Sequence, residues 1–411
     1  MTVFILGYGA SGKAAALLLL NLGYKNIVVC EKKELDLSIS GVTFLSDKED
    51  FLMMPQDKLI LSPGISGEHP IVQKAIKSGC EVLGEAELAL REIRCRAVAI
   101  SGTNGKTTTT LLTAHVLRSV GFETYAAGNL GSYGPALSAA ACDLKDRRDA
   151  ILVAELSSYQ LETAKARVFD GAALLNITQD HLDRYPSMLA YATAKANLAA
   201  LLKNSANFFL HKSCLDQFYE LFSSIPKQVF GPMVQVASKI HPDNLMAAYK
   251  LCSIFSIPVA DFLEAAETFI PPRHRCEYVA TVAGVSYYDD SKGTTVDAVI
   301  HAISQQSKPI ILIAGGLDKN SNFSPWIDAF SGRVKLILTI GQAAEKIAQQ
   351  LRGSIEIVRC ETLQHAVKEA SRRAIAGDAV LLSPGCASLD MFKDYEERGR
   401  LFQECVCSLT S

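Results

Sequence analysis

The sequence predicts an α/β protein of three domains, each built on a mainly parallel sheet. Short β-branched, apolar runs alternate with stretches of helical periodicity along most of the chain, the pattern of βαβ units. Several of these runs end in glycine-rich turns that open a helix. The length, 411 residues, exceeds what one ordinary core organises, so two or three domains are expected.

The first segment reads strand 3–6, glycine-rich turn, helix 13–22 and strand 26–30. A second strand, 58–61, runs into Ser62-Pro63-Gly64, and a helix follows over 70–78. The charged stretch 91–96 marks a boundary. The second segment has strands 97–100, 150–154 and 172–176, with later helices that include 187–202 and 243–255. Pro271-Pro272 closes it as a stiff connector. The third segment has a hairpin over 278–288, helix 296–305, strand 309–314, strand 334–340, helix 343–351, strand 356–359, helix 363–376 and strand 379–382. The expectation is two doubly wound ends around a central phosphate-binding sheet.

A hydrophobic fraction of 49%, a charged fraction of 20% and a net charge of −2 describe an ordinary globular chain. They argue against a nucleic-acid partner held by phosphate neutralisation. The eleven cysteines lie scattered in apolar runs without disulfide or zinc spacing, as buried thiols in a reducing compartment would. The sequence opens on a strand, without a charged leader region, and apolar stretches such as 14–20 are too short for a membrane span. A cytoplasmic protein with no membrane partner is expected.

Residues 98–112 carry the strongest chemical signal. A β-branched run enters Gly102-Thr103-Asn104-Gly105-Lys106-Thr107-Thr108, and a helix leaves it. Backbone amides of such a turn converge on an anion, the lysine reaches β/γ-phosphates, and the threonine hydroxyl can ligate Mg²⁺. ATP is the expected ligand. Gly7-Tyr8-Gly9-Ala10-Ser11-Gly12, with Glu31 closing the next strand and Lys32 and Lys33 after it, has the form of a dinucleotide fingerprint. Diphosphate binding satisfies that form whatever the rest of the nucleotide; tight strand–helix packing would satisfy it as well.

Glu155 ends the strand 150–154 and suits the nucleotide's Mg²⁺, while Ser157 or Ser158 suits a helix N-cap. Residues 176–184, with Asp180, His181 and Asp183, end the next strand at the same edge. On the following helix Met188, Tyr191, Lys195, Leu198 and Leu202 share one face. Lys195 therefore interrupts an apolar stripe, and either its stem snorkels outward or its ammonium is paired or neutralised. Asp289-Asp290-Ser291-Lys292-Gly293-Thr294-Thr295 opens a helix, and Gly315–Lys319 and Ser383–Ser388 follow strands at a crevice edge.

Assembled in order, these motifs resemble the Mur ligases, the ATP-dependent amino-acid-adding enzymes of peptidoglycan synthesis. The resemblance runs from Gly-Tyr-Gly-Ala-Ser-Gly through Ser-Pro-Gly-Ile (62–65), Gly-Thr-Asn-Gly-Lys-Thr-Thr, Gly-Asn-Leu-Gly (128–131) and Glu-Leu-Ser-Ser-Tyr-Gln-Leu-Glu. It continues through Asp-His-Leu-Asp-Arg-Tyr, His-Arg-Cys-Glu (274–277) and Asp-Ser-Lys-Gly-Thr to Ser-Pro-Gly-Cys-Ala-Ser-Leu-Asp-Met-Phe-Lys. It implies a Rossmann-like UDP-substrate domain (1–95), a P-loop ATPase-like domain binding ATP and Mg²⁺ (96–271), and a Rossmann-like domain for nucleotide and D-glutamate (272–411).

By resemblance, Ser11, Lys32, Ser62 and Gly64 lie near the UDP, and Asn129 and Ser157 contact the substrate further in. Gly102, Thr103, Asn104, Gly105, Lys106, Thr107, Thr108, Asn244, Arg275, Asp290 and Lys292 match ATP-side positions. Thr294, Lys319, Ser388, Leu389 and Tyr395 match positions around D-glutamate. Lys106, Glu155, His181 and Lys195 match the catalytic positions. Two Mg²⁺ ions are implied, with Thr107, Glu155, His181 and Lys195 as ligands and Lys195 carbamylated. The implied partners are UDP-MurNAc-L-Ala and D-glutamate, with the protein a monomer. Ile240-His241-Pro242-Asp243, Leu317, Tyr159 and Tyr395 depart from common family residues. The rival expectations are L-alanine addition within the same family, an NAD(P) oxidoreductase built on residues 1–90, and a binding-only nucleotide sensor.

Overall fold

The computed structural model describes residues 1–32, 39–47, 51–182, 184–233, 240–304, 306 and 308–409. Lys33 and Asp183, noted above, lie outside them. The chain forms two compact units, residues 1–177 with 189–270, and residues 178–188 with 271–411.

The first unit carries two sheets. Its five-stranded sheet has the order Val42–Ser46, Ile27–Glu31, Val3–Leu6, Lys58–Leu61, Glu81–Gly84, every pair parallel. The order reverses beside Val3–Leu6, so the glycine turn after it and Ser62–Gly64 face the same crevice. The second sheet has six parallel strands in the order Gln228–Phe230, Phe208–His211, Gly171–Leu174, Arg96–Ser101, Ile151–Glu155, Thr124–Gly128. Arg96–Ser101 is flanked by Ile151–Glu155 and Gly171–Leu174, so the turns after all three gather at one edge. Its strands read Ala, Val, Ile and Leu without alternation because helices cover both faces; Val98, Ile100, Ile151 and Val153 pack with Leu112, Val116 and Leu251 in one core. Helices Ala10–Asn21 and Glu85–Glu92 pack on Leu137–Leu144, joining the two sheets.

The second unit holds a six-stranded sheet, Glu277–Val282, Val285–Asp289, Ala379–Leu382, Ile310–Gly315, Val334–Ile340, Glu356–Arg359. Only the edge pair, Glu277–Val282 with Val285–Asp289, is antiparallel. This is the hairpin read from the sequence.

The helix expected over 187–202 is shorter. It is α-helical over Met188–Ala196 and tightens to a 3₁₀ turn over Asn197–Leu201. The 363–376 helix ends at Arg373. No helix among the described residues is long and apolar enough to cross a membrane. None of the eleven cysteines is in a disulfide.

Candidate active site

The turn after Arg96–Ser101 has the shape of a phosphate cradle. Gly105 caps the helix Lys106–Ser119 in the left-handed region at φ 82°. An added Cβ there would also meet the Asn244 side chain, so glycine is required on both counts. Asn244 is thereby seated against the turn. Asn176 clamps the turn from the neighbouring strand end. Its Oδ1 accepts from Thr103 N at 3.1 Å and Asn104 N at 2.8 Å, and its Nδ2 donates to Asn104 O at 3.1 Å. Lys106 Nζ curls over the turn, donating to Gly102 O at 2.9 Å and Thr103 O at 2.7 Å. Thr107 and Thr108 are buried in the first helical turn.

Glu155 ends the adjacent strand, paired with Ile100, and is 1% exposed. Its Oε1 accepts from Asn129 Nδ2 at 3.1 Å; its Oε2 is buried with no hydrogen-bond partner among the described residues. A buried carboxylate oxygen without a donor is costly unless a cation satisfies it. The residues present therefore fit a divalent ion. Ser157 forms a capping box with Gln160 at the start of Ser158–Thr163, so this turn combines a helix cap with an acid at the sheet edge.

Lys195 does not snorkel. It is 1% exposed, its Nζ donates to Gly102 O at 2.7 Å and it lies 4.7 Å from the Tyr191 ring centroid. Tyr191 OH is 3.2 Å from Thr103 Oγ1. The structure thus brings Lys195 to the phosphate turn itself. His181 belongs to the second unit; its backbone is left-handed at φ 56° and its Nε2 lies 3.3 Å from Asp180 Oδ2.

In the first sheet, the glycine turn is closed by its own acid. Glu31 Oε2 accepts from Tyr8 N at 2.6 Å and Oε1 from Lys32 N at 2.8 Å. Ser62 Oγ donates to Gly7 O at 2.9 Å, which binds the two crevice loops together. Ser11 is half-buried and Lys32 exposed at this mouth, and Gly64 is left-handed at φ 95°.

The second unit gathers most of the remaining candidates. Lys292 Nζ sits 3.8 Å over the Tyr395 ring, a cation–π contact. Asp290 accepts from Ser383 Oγ at 2.6 Å and Cys276 N at 3.2 Å, and burial pushes its carboxyl up to about 7. Arg275 lies between His274 and Cys276, both left-handed at φ 61° and 47°; its Nε is buried with no hydrogen-bond partner among the described residues. Lys319 reaches Asp180 Oδ1 at 3.3 Å, and these two line a small cleft with Gln179, Leu182, Thr294 and Ser321. Leu317 and Ala387 pair as a short antiparallel bridge, which brings the Lys319 turn beside the turn of Ser388. Ser388 is buried, whereas Leu389 is 65% exposed.

Sequence reasoning missed Arg398, which lies under these turns at 0% exposure. Its Nε donates to Ser291 Oγ at 3.0 Å, its guanidinium nitrogens to Ser291 O at 2.8 Å and to Cys386 O at 3.2 Å. Burial pulls its pKa down to about 10, so it stays cationic at neutral pH. Its signal was the one used for Lys195: Arg398, Phe402 and Val406 share a buried face.

The Ile240–Asp243 departure starts a helix. His241 caps Pro242–Ser253 through Nδ1, which accepts from Asp243 N at 3.3 Å, and burial lowers the His241 pKa.

Residues 100–232 match the Mur ligase middle domain and residues 274–386 the glutamate ligase domain of Mur ligases. A protein of Protochlamydia amoebophila (strain UWE25) named UDP-N-acetylmuramoylalanine–D-glutamate ligase is 38% identical across 98% of this chain and 97% of its own. One of the same name from Koribacter versatilis (strain Ellin345) is 36% identical across 98% and 96%. Among solved structures, a UDP-N-acetylmuramate–alanine ligase from Thermotoga maritima covers 99% of both chains at 17% identity with a TM-score of 0.62. The MurF ligase of Thermotoga maritima in complex with ADP covers 85% of this chain and 95% of its own at 14% identity, with a TM-score of 0.60; at such identities the likeness concerns the fold.

Proposed function

The chain belongs to the Mur ligase family, and from that premise we propose that it joins D-glutamate to UDP-N-acetylmuramoyl-L-alanine with cleavage of ATP, a cytoplasmic step of peptidoglycan synthesis. The observation that carries this reading is the Glu155 carboxylate, buried beside the phosphate turn with one oxygen that no group among the described residues satisfies. A UDP-binding crevice alone would have no use for it.

Residues 1–95 take the UDP end of the substrate, with Ser11, Lys32, Ser62 and Gly64 at the crevice and Asn129 and Ser157 further in. Residues 96–271 hold ATP at the turn Gly102–Thr108, with Asn244 beside it. Residues 272–411 contribute Arg275, Asp290 and Lys292 toward the nucleotide, and Thr294, Lys319, Ser388, Leu389 and Tyr395 toward D-glutamate. The protein acts as a monomer.

The substrate's terminal carboxylate attacks the γ-phosphorus, forming an acyl phosphate as the bond to ADP breaks. The D-glutamate amine then attacks the acyl carbonyl, inorganic phosphate leaves, and the amine proton is lost as the amide forms. Each partner arrives as an anion, so this chain's main task is electrostatic. Lys106 and Arg275 neutralise phosphate charge, and the turn amides orient it. A pair of Mg²⁺ ions would supply further neutralisation, with Thr107, Glu155, Lys195 and His181 as the groups to hold them.

Lys195 fits this role as a carbamate. Its neutral amine adds to CO₂ with loss of a proton, which converts a buried cation into an oxygen ligand. The Lys195 position, inside the fold at the phosphate turn, supports that reading.

Phosphate release should require ATP, UDP-N-acetylmuramoyl-L-alanine and D-glutamate together. Release supported instead by UDP-N-acetylmuramate and L-alanine would move the chain to another branch of the family. Failure to cleave ATP with any such acceptor would end the ligase reading.

A further inference from the structure

The segment Gly84-Glu85-Ala86-Glu87 links the two sheets of the first unit, and its acids are buried without a part in the chemistry above. Glu85 is 1% exposed. It opens the helix Glu85–Glu92, and its Oε1 accepts from Ser138 N at 2.7 Å, in the first turn of a second helix, Leu137–Leu144. The positive ends of two helices thus face one carboxylate, which offsets part of its desolvation. Its Oε2 is buried with no hydrogen-bond partner among the described residues. Glu87 Oε2 accepts from Lys165 N at 2.6 Å and Ala166 N at 2.9 Å, just past the helix Ser158–Thr163. Gly84 packs so tightly that an added Cβ would overlap Thr163.

Ser138, the second residue of the helix Leu137–Leu144, holds the far end of the loop that leaves the strand Thr124–Gly128. Gly128 N donates to Pro135 O at 2.9 Å, closing the neck of that loop. Asn129 N donates to Glu155 O at 2.9 Å and Asn129 Nδ2 to Glu155 Oε1 at 3.1 Å. The loop therefore has one end on Glu155 and the other on Glu85. Gly128 lies at φ 111°, and a Cβ there would collide with Glu155 O, so the first anchorage has no slack.

We propose that Glu85 is a positioning residue for the Asn129–Glu155 pair: it fixes the far end of the 128–138 loop, and so aims the unpartnered Glu155 oxygen at its cation. The proposal rests on the reading of Glu155 as a metal ligand. Groups that orient a ligand from behind typically alter metal affinity by about tenfold or more when removed.

The test uses Glu85→Ala, Glu85→Gln and Glu85→Leu in the full chain, with Mg²⁺-dependent binding of a non-hydrolysable ATP analogue followed by calorimetry, and amide hydrogen exchange over 128–138. Gln keeps the acceptor for Ser138 N and should match the parent in both measurements. Ala should exchange faster over 128–138 and need about tenfold more Mg²⁺ for half-saturation. Leu fills the space without an acceptor, and carries the test if Ala does not fold. Unchanged exchange, or faster exchange with unchanged Mg²⁺ dependence, would overturn the proposal by reducing Glu85 to a packing group. A parent protein with no Mg²⁺-dependent nucleotide binding would instead sink the reading of Glu155, while the exchange data would still report on the anchorage.

Discussion

Two buried cations serve the two units in different ways. Lys195 in the first unit and Arg398 in the second are 1% and 0% exposed, and each sits under a functional turn. Arg398 spreads its planar fork over a hydroxyl and two carbonyls, and binds the Ser291 turn to the Cys386 turn. With its pKa still at about 10, it is a permanent charge and works as a fastening. Lys195 places a single compact ammonium against Gly102 O and the Tyr191 ring. A lysine amine in its neutral form adds to CO₂, a reaction the guanidinium of an arginine does not offer. Similar burial therefore gives a fastener in one unit and, on the proposed carbamate reading, a chemical group in the other.

The sharpest way to break this contrast is Lys195→Ala. Phosphate release should fall on the order of 10³-fold, and short carboxylic acids should restore part of it by occupying the vacated space. Full activity of the variant in CO₂-depleted buffer would return Lys195 to a structural role.

Arg398→Met should cost stability rather than chemistry. It strands the Ser291 and Cys386 carbonyls, at about 1–3 kcal/mol each, and should lower Tm by roughly 5–10 °C. Arg398→Lys keeps the charge but loses the fork, and should recover only about half of that. A Lys variant as stable as the parent would show that charge, not geometry, holds the turns.

Asp290 gives a smaller, pH-dependent effect in the same region. Its folded pKa stands near 7 against 3.8 for a free carboxyl, so the folded state holds a proton that the unfolded state releases between these values. Its contribution to stability is present below about pH 4 and is lost as pH rises through 7. Asp290→Asn should flatten this part of the Tm–pH curve, and parallel curves for the two proteins would contradict it. Smallest of all, Tyr191→Phe removes the hydroxyl that meets Thr103. It should cost about 1 kcal/mol in thermal unfolding and leave Lys195 in place.

The sequence revealed most where a local pattern dictates structure. The strand–glycine–helix turns at residues 7 and 102 were legible because backbone sterics tie glycine to those positions. Lys195 was legible because it broke an apolar stripe, although where its ammonium ends up depended on Gly102, far away in the chain. The same spacing around Arg398 went unread, since the near end of that helix is crowded with Tyr395, Glu396 and Glu397. The roles of Asn176 and Glu85 depend on which strands are neighbours, and on Ser138 arriving beside an acid 53 residues earlier. No local period carries such information. Short strands such as Gln228–Phe230 left too few residues for alternation to register, and the helix after His181 tightened where Asn197 begins a 3₁₀ turn.

The Asn176 clamp has a kinetic consequence. Because one amide side chain already fixes the Thr103 and Asn104 backbones, the turn is preorganised, and an incoming polyphosphate meets a backbone that needs no rearrangement. Capture should then be limited by diffusion and release by bond strength, so a shortened side chain at that position would be felt first in the association rate.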